Sequence, residues 1–400
     1  MSATIEERYF VIPLSEQQEG DLYVVGNTDL GDFYQFPEQG VQILRMLRSG
    51  ETPAAIKSRL AAVSAEPVDV DDFLHQLTQI GFIHPESRRQ QAQQDLQDAA
   101  RDSRRTFSVD RRVAKAIFSP PMLACYAAVI LYAAFDAVVH PQLRLNIDAF
   151  YIETNKTALL LAMMVLSLVQ TILHELGHML AAARQGIVSK YGIGNRMWNI
   201  VAESDLTGIL TLPKAKRYLP MLAGLLVDAL SAALLTILLG FLLRHDAGPF
   251  TIQLVQAMIL EIVIGMAWQF NVFVKTDIYF VICNIFSDPD LDAGARIYLR
   301  GILNRITLGR FGTKAPAASP ANLAVLRIFS LVWLFGRILS LLILFGVFLP
   351  TMGRYLGSAI QLLNQSPTSV WMACDTILYV AITLTILGTG MYMWIKNKSS

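Results

Sequence analysis

The sequence predicts a polytopic α-helical membrane protein of about six spans, with a small winged-helix-like α+β domain at its N-terminus. Three observations predict it. Of 400 residues, 54% are hydrophobic and only 16% charged, at a mean hydropathy of +0.43, which suits a helical membrane bundle with a modest soluble part. Apolar runs near the ~20 residues that a bilayer requires recur from Ile117 onward. The first hundred residues instead combine short β-prone pieces with helical periodicity. A formal net charge of +1 gives no basic bias toward nucleic acid. Cys125, Cys283 and Cys374 fall singly in apolar stretches, as small buried hydrophobes do, and form neither a disulfide framework nor a thiolate site. Met1 to Tyr9 carries acidic residues and no apolar core, so it does not read as a signal peptide.

Residues 1–95 form the expected first domain. Tyr9 to Pro13, Asp21 to Val25 and Asp32 to Phe36 read as strands, divided by Gly20 and by the Gly26-Asn27 turn. Val41, Ile43, Leu44 and Leu47 then recur at helical spacing before Gly50. A second helix opens at Thr52-Pro53 and runs to about Val63, and a third covers Val70 to Ile80 before Gly81. The domain lacks a basic recognition helix, so its exposed strand edges suit peptide addition better than DNA. Residues 96–116 are a polar linker whose Arg101, Arg104, Arg105, Arg111, Arg112 and Lys115 precede the first apolar run, as a cytoplasmic anchor does.

The expected spans are Ile117 to Val139, Thr157 to Ala183, Tyr218 to Leu243, Ile252 to Val274, Leu323 to Leu349 and Val370 to Ile395. Residues 117–310 make the membrane core and 311–400 a C-terminal hairpin. Basic residues concentrate in 101–115, 184–217 and 275–314, while the alternate loops carry only Arg144, Lys156, Arg244 and Arg354. The positive-inside rule then puts both termini in the cytoplasm. Within loop 186–212, Val188 to Ile193 and Gly208 to Leu212 are β-prone pieces of an expected hairpin.

The second span carries His174-Glu175-Leu176-Gly177-His178. Histidines four apart share one helix face, so both imidazoles can reach one metal ion, and the glutamate between them can take a proton from a bound water. Ionisable groups at membrane depth are costly, and three on one apolar helix need a purpose. A catalytic zinc takes three protein ligands and a water. His75, His84, His140 and His245 lie in the soluble domain or near the outer face. Among the carboxylates in or beside the spans (Asp136, Asp228, Glu261, Asp277, Asp375), Asp277 lies at the depth of the histidines. His174, His178 and Asp277 are therefore the expected zinc ligands and Glu175 the base. Asp228, Glu261 and Arg337 read as interhelical polar contacts.

These residues resemble the site-2 protease family of membrane zinc metalloproteases, nearest to its bacterial peptide zinc metalloprotease branch. His174 to His178 is followed by Leu180-Ala181-Ala182 and Gly186, then by Phe270-Asn271-Val272-Phe273-Val274-Lys275-Thr276-Asp277-Ile278-Tyr279. The latter is similar to the family's Asn-Pro…Asp-Gly-Tyr segment, and Leu222-Ala223-Gly224 to its Ala-Gly-Pro segment. Val272, Ile278 and Leu225 stand where the family has proline, glycine and proline. A β-branched isoleucine disfavours positive φ, so the backbone near Asp277 is expected to turn in its own way. The resemblance implies that Asn271 positions substrate or stabilises an oxyanion.

Tyr23-Val24-Val25-Gly26-Asn27, Phe36-Pro37-Glu38 and Phe73 to Leu77 with Gly81-Phe82-Ile83 resemble PqqD-like domains, which implies binding of a leader peptide. Together these imply an endopeptidase maturing a ribosomally made peptide beside a transporter or modifying enzyme. A catalytically silent peptide-capturing partner, or a regulatory protease of a transmembrane signalling protein, are the alternatives.

Overall fold

The computed structural model describes residues 8–28, 30–63, 69–102, 106–107, 109–196, 199–288, 291–308, 310, 320–364 and 370–399. The chain forms two compact units. The first comprises Met1–Ser108, Gln185–Gly192 and Ser204–Tyr218; the second comprises Val109–Arg184, Ile193–Glu203 and Leu219–Ser400.

In the first unit, β1 (Tyr9–Val11) is followed by an antiparallel meander of β2 (Ser15–Glu19), β3 (Leu22–Asn27) and β4 (Asp32–Pro37). Gly20 takes φ +62° between β2 and β3, a conformation that glycine adopts without a Cβ penalty. The register pairs Tyr23 with Phe36 and Val25 with Tyr34. Strand β2 is an unexpected element: Ser-Glu-Gln-Gln-Glu has no apolar alternation, and its conformation comes from pairing along all of β3. Helices α1 (Glu38–Arg48), α2 (Pro53–Val63) and α3 (Val70–Gln79) pack against the strands. Helix α1 buries Val41, Leu44 and Leu47 at helical spacing. Asp69 caps α3 by accepting from the Asp72 N–H at 3.1 Å. Strand β5 (Ile83–Pro85) pairs with β1, and Val25, Leu44, Leu77 and Phe82 are central to one core.

Helix α4 (Arg89–Asp102) then occupies part of the polar linker. Strand β6 (Thr106–Phe107) pairs with the start of β7 (Ser189–Arg196), and β8 (Asn199–Asp205) is the third strand of that sheet. The expected strand at Gly208 to Leu212 is instead a 3-10 turn over Thr207–Thr211. Its cause is local. Asp205 accepts from the Thr207 N–H at 2.9 Å, and Arg217 donates to the carbonyls of Leu210 (2.7 Å) and Leu212 (2.9 Å), which removes them from any ladder.

The second unit is mainly helical. It runs through α5 (Arg111–Ile117), α6 (Pro120–Val139), α7 (Lys156–Arg184), α8 (Lys214–Arg244), α9 (Pro249–Trp268) and α10 (Asp277–Phe286). After these come α11 (Leu291–Ile306), α12 (Pro320–Ile343), α13 (Leu349–Asn364) and α14 (Val370–Ser399). Six helical stretches among the described residues are long and apolar enough to cross a membrane. Leu131, Phe135 and Val138 of α6 are more than 60% exposed, the outward apolar face that lipid requires. This is a polytopic helical membrane protein with a small strand-containing N-terminal unit.

Several span boundaries differ from expectation, three of them for a clear local reason. Ile117 belongs to α5, because Ser119-Pro120-Pro121 starts a new helix with proline in its first turn. The fourth span ends at Trp268 rather than Val274, since the chain leaves the helix to form the loop that carries Asn271. The fifth extends to Gln361, because a π-helical turn at Leu344–Phe348 joins α12 to α13 without a break.

The start of α7 is anchored from α14. Asp375 accepts the backbone N–H groups of Lys156 (2.8 Å) and Thr157 (3.0 Å), and Lys156 Nζ donates to Thr376 Oγ1 at 2.9 Å. Helix N-termini leave such donors orphaned, and here they are buried. Asp375 thereby fixes the helix that carries the histidines.

Candidate metal centre

The centre is assembled from α7, α8 and the N-terminus of α10. His174 and His178 lie one turn apart on α7, their ring centroids 4.8 Å apart. Small residues let α8 come close. A Cβ added at Gly177 would lie 2.7 Å from Val227 Cγ2 and 2.9 Å from the Ala223 carbonyl oxygen, and Ala181 packs with Ala223. Gly224 then faces both histidines. A Cβ there would lie 2.5 Å from His174 Nε2 and closer still to His178 Nε2.

Asp277 arrives through the loop after α9. Thr276 Oγ1 donates to the Gln269 carbonyl at 2.6 Å, and the Asp277 N–H donates to Gln269 Oε1 at 3.1 Å. The positive φ of this turn falls on Lys275, at +57°. Ile278 is already inside α10 and packs against the core around Val272 and Tyr279. The chain does turn in its own way, with the strained position three residues before the isoleucine.

His174 Nε2, His178 Nε2 and Asp277 Oδ2 converge. The two nitrogens are 3.1 Å apart, and each lies 3.1 or 3.2 Å from the carboxylate oxygen. The other ring nitrogens fix the tautomers. His174 Nδ1–H donates to Asp228 Oδ2 at 2.8 Å, and His178 Nδ1–H donates to the Pro220 carbonyl at 2.7 Å. With neutral rings both Nε2 atoms present lone pairs, so three acceptor atoms meet at one point, where they could hold a cation. Ligands bound tetrahedrally at ~2.0–2.1 Å stand about 3.3–3.4 Å apart, close to these edges. The three residues fit a small divalent metal ion and could hold it.

Asp228 is more than the interhelical contact expected of it. It bonds His174 and also accepts from Gln170 Nε2 at 2.8 Å. Its signal in the sequence is its spacing: Gly224 and Asp228 are four apart on one face of α8, as the histidines are on α7. Asp228→Ala is expected to weaken metal binding by about 10–100-fold, as the loss of a carboxylate behind a ligating histidine does. Competition titration against a chromophoric chelator measures this, and unchanged affinity would remove Asp228 from the centre.

Glu175 lines a cavity of about 330 Å³ together with His174, Asp228, Glu261 and Gln269. Asn271 does not belong to this lining or to the triangle of ligand atoms. It is 1% exposed, and its Oδ1 accepts from Ser340 Oγ of α12 at 2.6 Å, while Nδ2 has no partner among the described residues. Asp136 bonds His140 at 2.8 Å. The Arg337 guanidinium lies 3.6 Å from the Phe273 ring centroid and 4.9 Å from that of Trp333, a cation–π arrangement. Comparison of this chain with family models, curated proteins and solved structures returns no match.

Proposed function

We propose that this chain is a membrane-embedded zinc endopeptidase of the site-2 protease type. The observation that carries the reading is the triangle of two imidazole nitrogens and one carboxylate oxygen beside Glu175. Two neutral imidazoles and one carboxylate are a donor set that would hold zinc. Zinc held there would lower the pKa of a water and polarise a carbonyl. The Glu175 carboxylate takes the proton of the water that attacks the peptide carbonyl carbon, and returns it to the departing amine nitrogen as the C–N bond breaks. Asp228 and the Pro220 carbonyl hold the imidazoles in register throughout. Asn271, buried outside the cavity that Glu175 lines, has no direct part in the chemistry; bonded to Ser340 of α12, it holds the loop that leads to Asp277. The N-terminal unit holds the leader of a ribosomally made precursor along a strand edge. Both termini face the cytoplasm of a bacterial inner membrane, where a transporter or modifying enzyme acts on the same peptide.

Glu175→Gln in the full-length protein is expected to keep its zinc within twofold and to slow cleavage of a precursor peptide by about 10²–10⁴-fold, the usual worth of a general base. Zinc analysis and mass spectrometry of short peptides encoded beside its gene make the test. Full-rate cleavage by Glu175→Gln would refute the role. A zinc-loaded wild type that cleaves none of them would favour a peptide-capturing partner.

A further inference from the structure

The loop that delivers Asp277 is held on two sides. One side is bonded to the end of α9, where Gln269 accepts from Thr276 Oγ1 and from the Asp277 N–H. The other lies against α12, a helix that supplies none of the three converging ligand atoms. Phe329, Trp333, Gly336 and Ser340 are three or four residues apart along α12, so they form a single helix face. That face meets the loop along its length. Phe329 and Trp333 pack in the core that contains Val272, and the Trp333 ring stands 6.1 Å from that of Phe273. Ser340 Oγ donates to Asn271 Oδ1 at 2.6 Å. Gly336 leaves no room at all: a Cβ there would lie 3.2 Å from the Asn271 Cα, 2.8 Å from the Phe270 carbonyl carbon and nearer still to its oxygen.

These neighbours are backbone atoms, which no change of rotamer can clear. The loop beyond them is tightly bonded: the Val274 N–H donates to the Asn271 carbonyl at 3.0 Å, and the Lys275 N–H to the Val272 carbonyl at 3.1 Å. A displacement at Phe270 or Asn271 is therefore passed on to Asp277. A metal–ligand bond tolerates only ~0.2 Å of error. Both histidines ride on one helix, whereas Asp277 enters from a loop, the less exact kind of support for a ligand. We propose that α12 completes the metal centre, with Gly336 and Ser340 as positioning residues that set where Asp277 Oδ2 stands relative to the two imidazoles. The C-terminal hairpin is then part of the centre and no separate appendage to it. The inference deepens the metal-binding part of the reading above and does not depend on peptide cleavage.

The test titrates full-length, metal-stripped protein with Zn²⁺ against a chromophoric chelator, with circular dichroism and gel filtration to establish folding. Gly336→Ala is expected to weaken binding about 10–100-fold, the usual effect of disturbing a group that orients a ligand. Gly353→Ala, further along the same span and with nothing within 4 Å of its added Cβ, should bind as the wild type does. Ser340→Ala should lose about tenfold, and Ser340→Thr, which keeps the hydroxyl, should restore it. The deciding comparison places Gly336→Ala on top of Asp277→Ala. There it should cost less than about twofold more, because the ligand it positions is gone. Wild-type affinity in a folded Gly336→Ala would overturn the proposal. So would a full further loss in the Asp277→Ala background, since α12 would then act on the bundle as a whole. If Gly336→Ala does not fold, Ser340→Ala takes its place in both comparisons. Asp277→Ala binding zinc as tightly as the wild type would overturn the centre itself and this proposal with it. No peptide enters these measurements, so their outcome is separate from that of the endopeptidase reading.

Discussion

Gly224→Ala is expected to empty the metal centre while leaving the bundle folded. The added methyl would stand 2.5 Å from His174 Nε2 and 2.7 Å from His174 Cε1, and nearer still to His178 Nε2. It would crowd the Nε2 edge of both rings, the edge that faces Asp277. Neither ring can withdraw cheaply, because each is tethered behind by a hydrogen bond of 2.8 or 2.7 Å, to Asp228 and to the Pro220 carbonyl. Swinging an imidazole away breaks that bond and strands a buried acceptor. The helix itself has no objection, since alanine is a better helix former than glycine by about 1 kcal/mol. Gly240→Ala on the same helix is the control: its nearest neighbours would be 3.6 Å away, at ordinary packing distance. Metal analysis of purified protein, with circular dichroism and gel filtration to establish folding, should find Gly224→Ala nearly metal-free and Gly240→Ala fully loaded. Wild-type metal content in a folded Gly224→Ala would show that the rings do not converge as described.

The histidine pair could be read from sequence because helical spacing alone places i and i+4 on one face. Asp277 is legible from its place after the fourth apolar run and from its spacing six residues beyond Asn271 in the segment that carries the resemblance, although that span itself ends earlier, at Trp268. What supports these ligands was harder to see. Asp228 acts on His174 across a helix–helix interface, and that interface exists because Gly177, Ala181 and Ala223 let α7 and α8 approach. Small residues in apolar helices are common, so the sequence marks no single pair as the closest approach. The end of α9 was hidden for a related reason. Phe270, Val272, Phe273 and Val274 continue the apolar run, and only the bonds from Thr276 and Asp277 back to Gln269 reveal that the helix has stopped. Strand β2 fails the alternation test because its partner, rather than its own side chains, specifies it.

The turn before Asp277 leads to the second large effect. Asp277→Ala is expected to lose most of the bound metal, more than Asp228→Ala does, because it removes a ligand atom and the one negative charge within the triangle. Two neutral imidazoles leave a divalent ion under-coordinated in a low-dielectric bundle. Asp277→Asn separates the two contributions: its amide oxygen can occupy the same place without the charge, so any metal it retains above Asp277→Ala reports geometry alone. Isoleucine at 278 fits the local backbone. It sits in helical backbone against the Val272–Tyr279 core, while the left-handed φ of +57° belongs to Lys275. Lys275→Gly relieves that strain and should keep the metal. Ile278→Gly should destabilise the fold by about 2–4 kcal/mol through lost packing and helix propensity, with no gain in affinity. Metal titration and thermal unfolding of these variants decide the matter. If Ile278→Gly tightened metal binding, the backbone around Asp277 would need the glycine turn that the resemblance implies, and the helical start of α10 at Asp277 would be wrong.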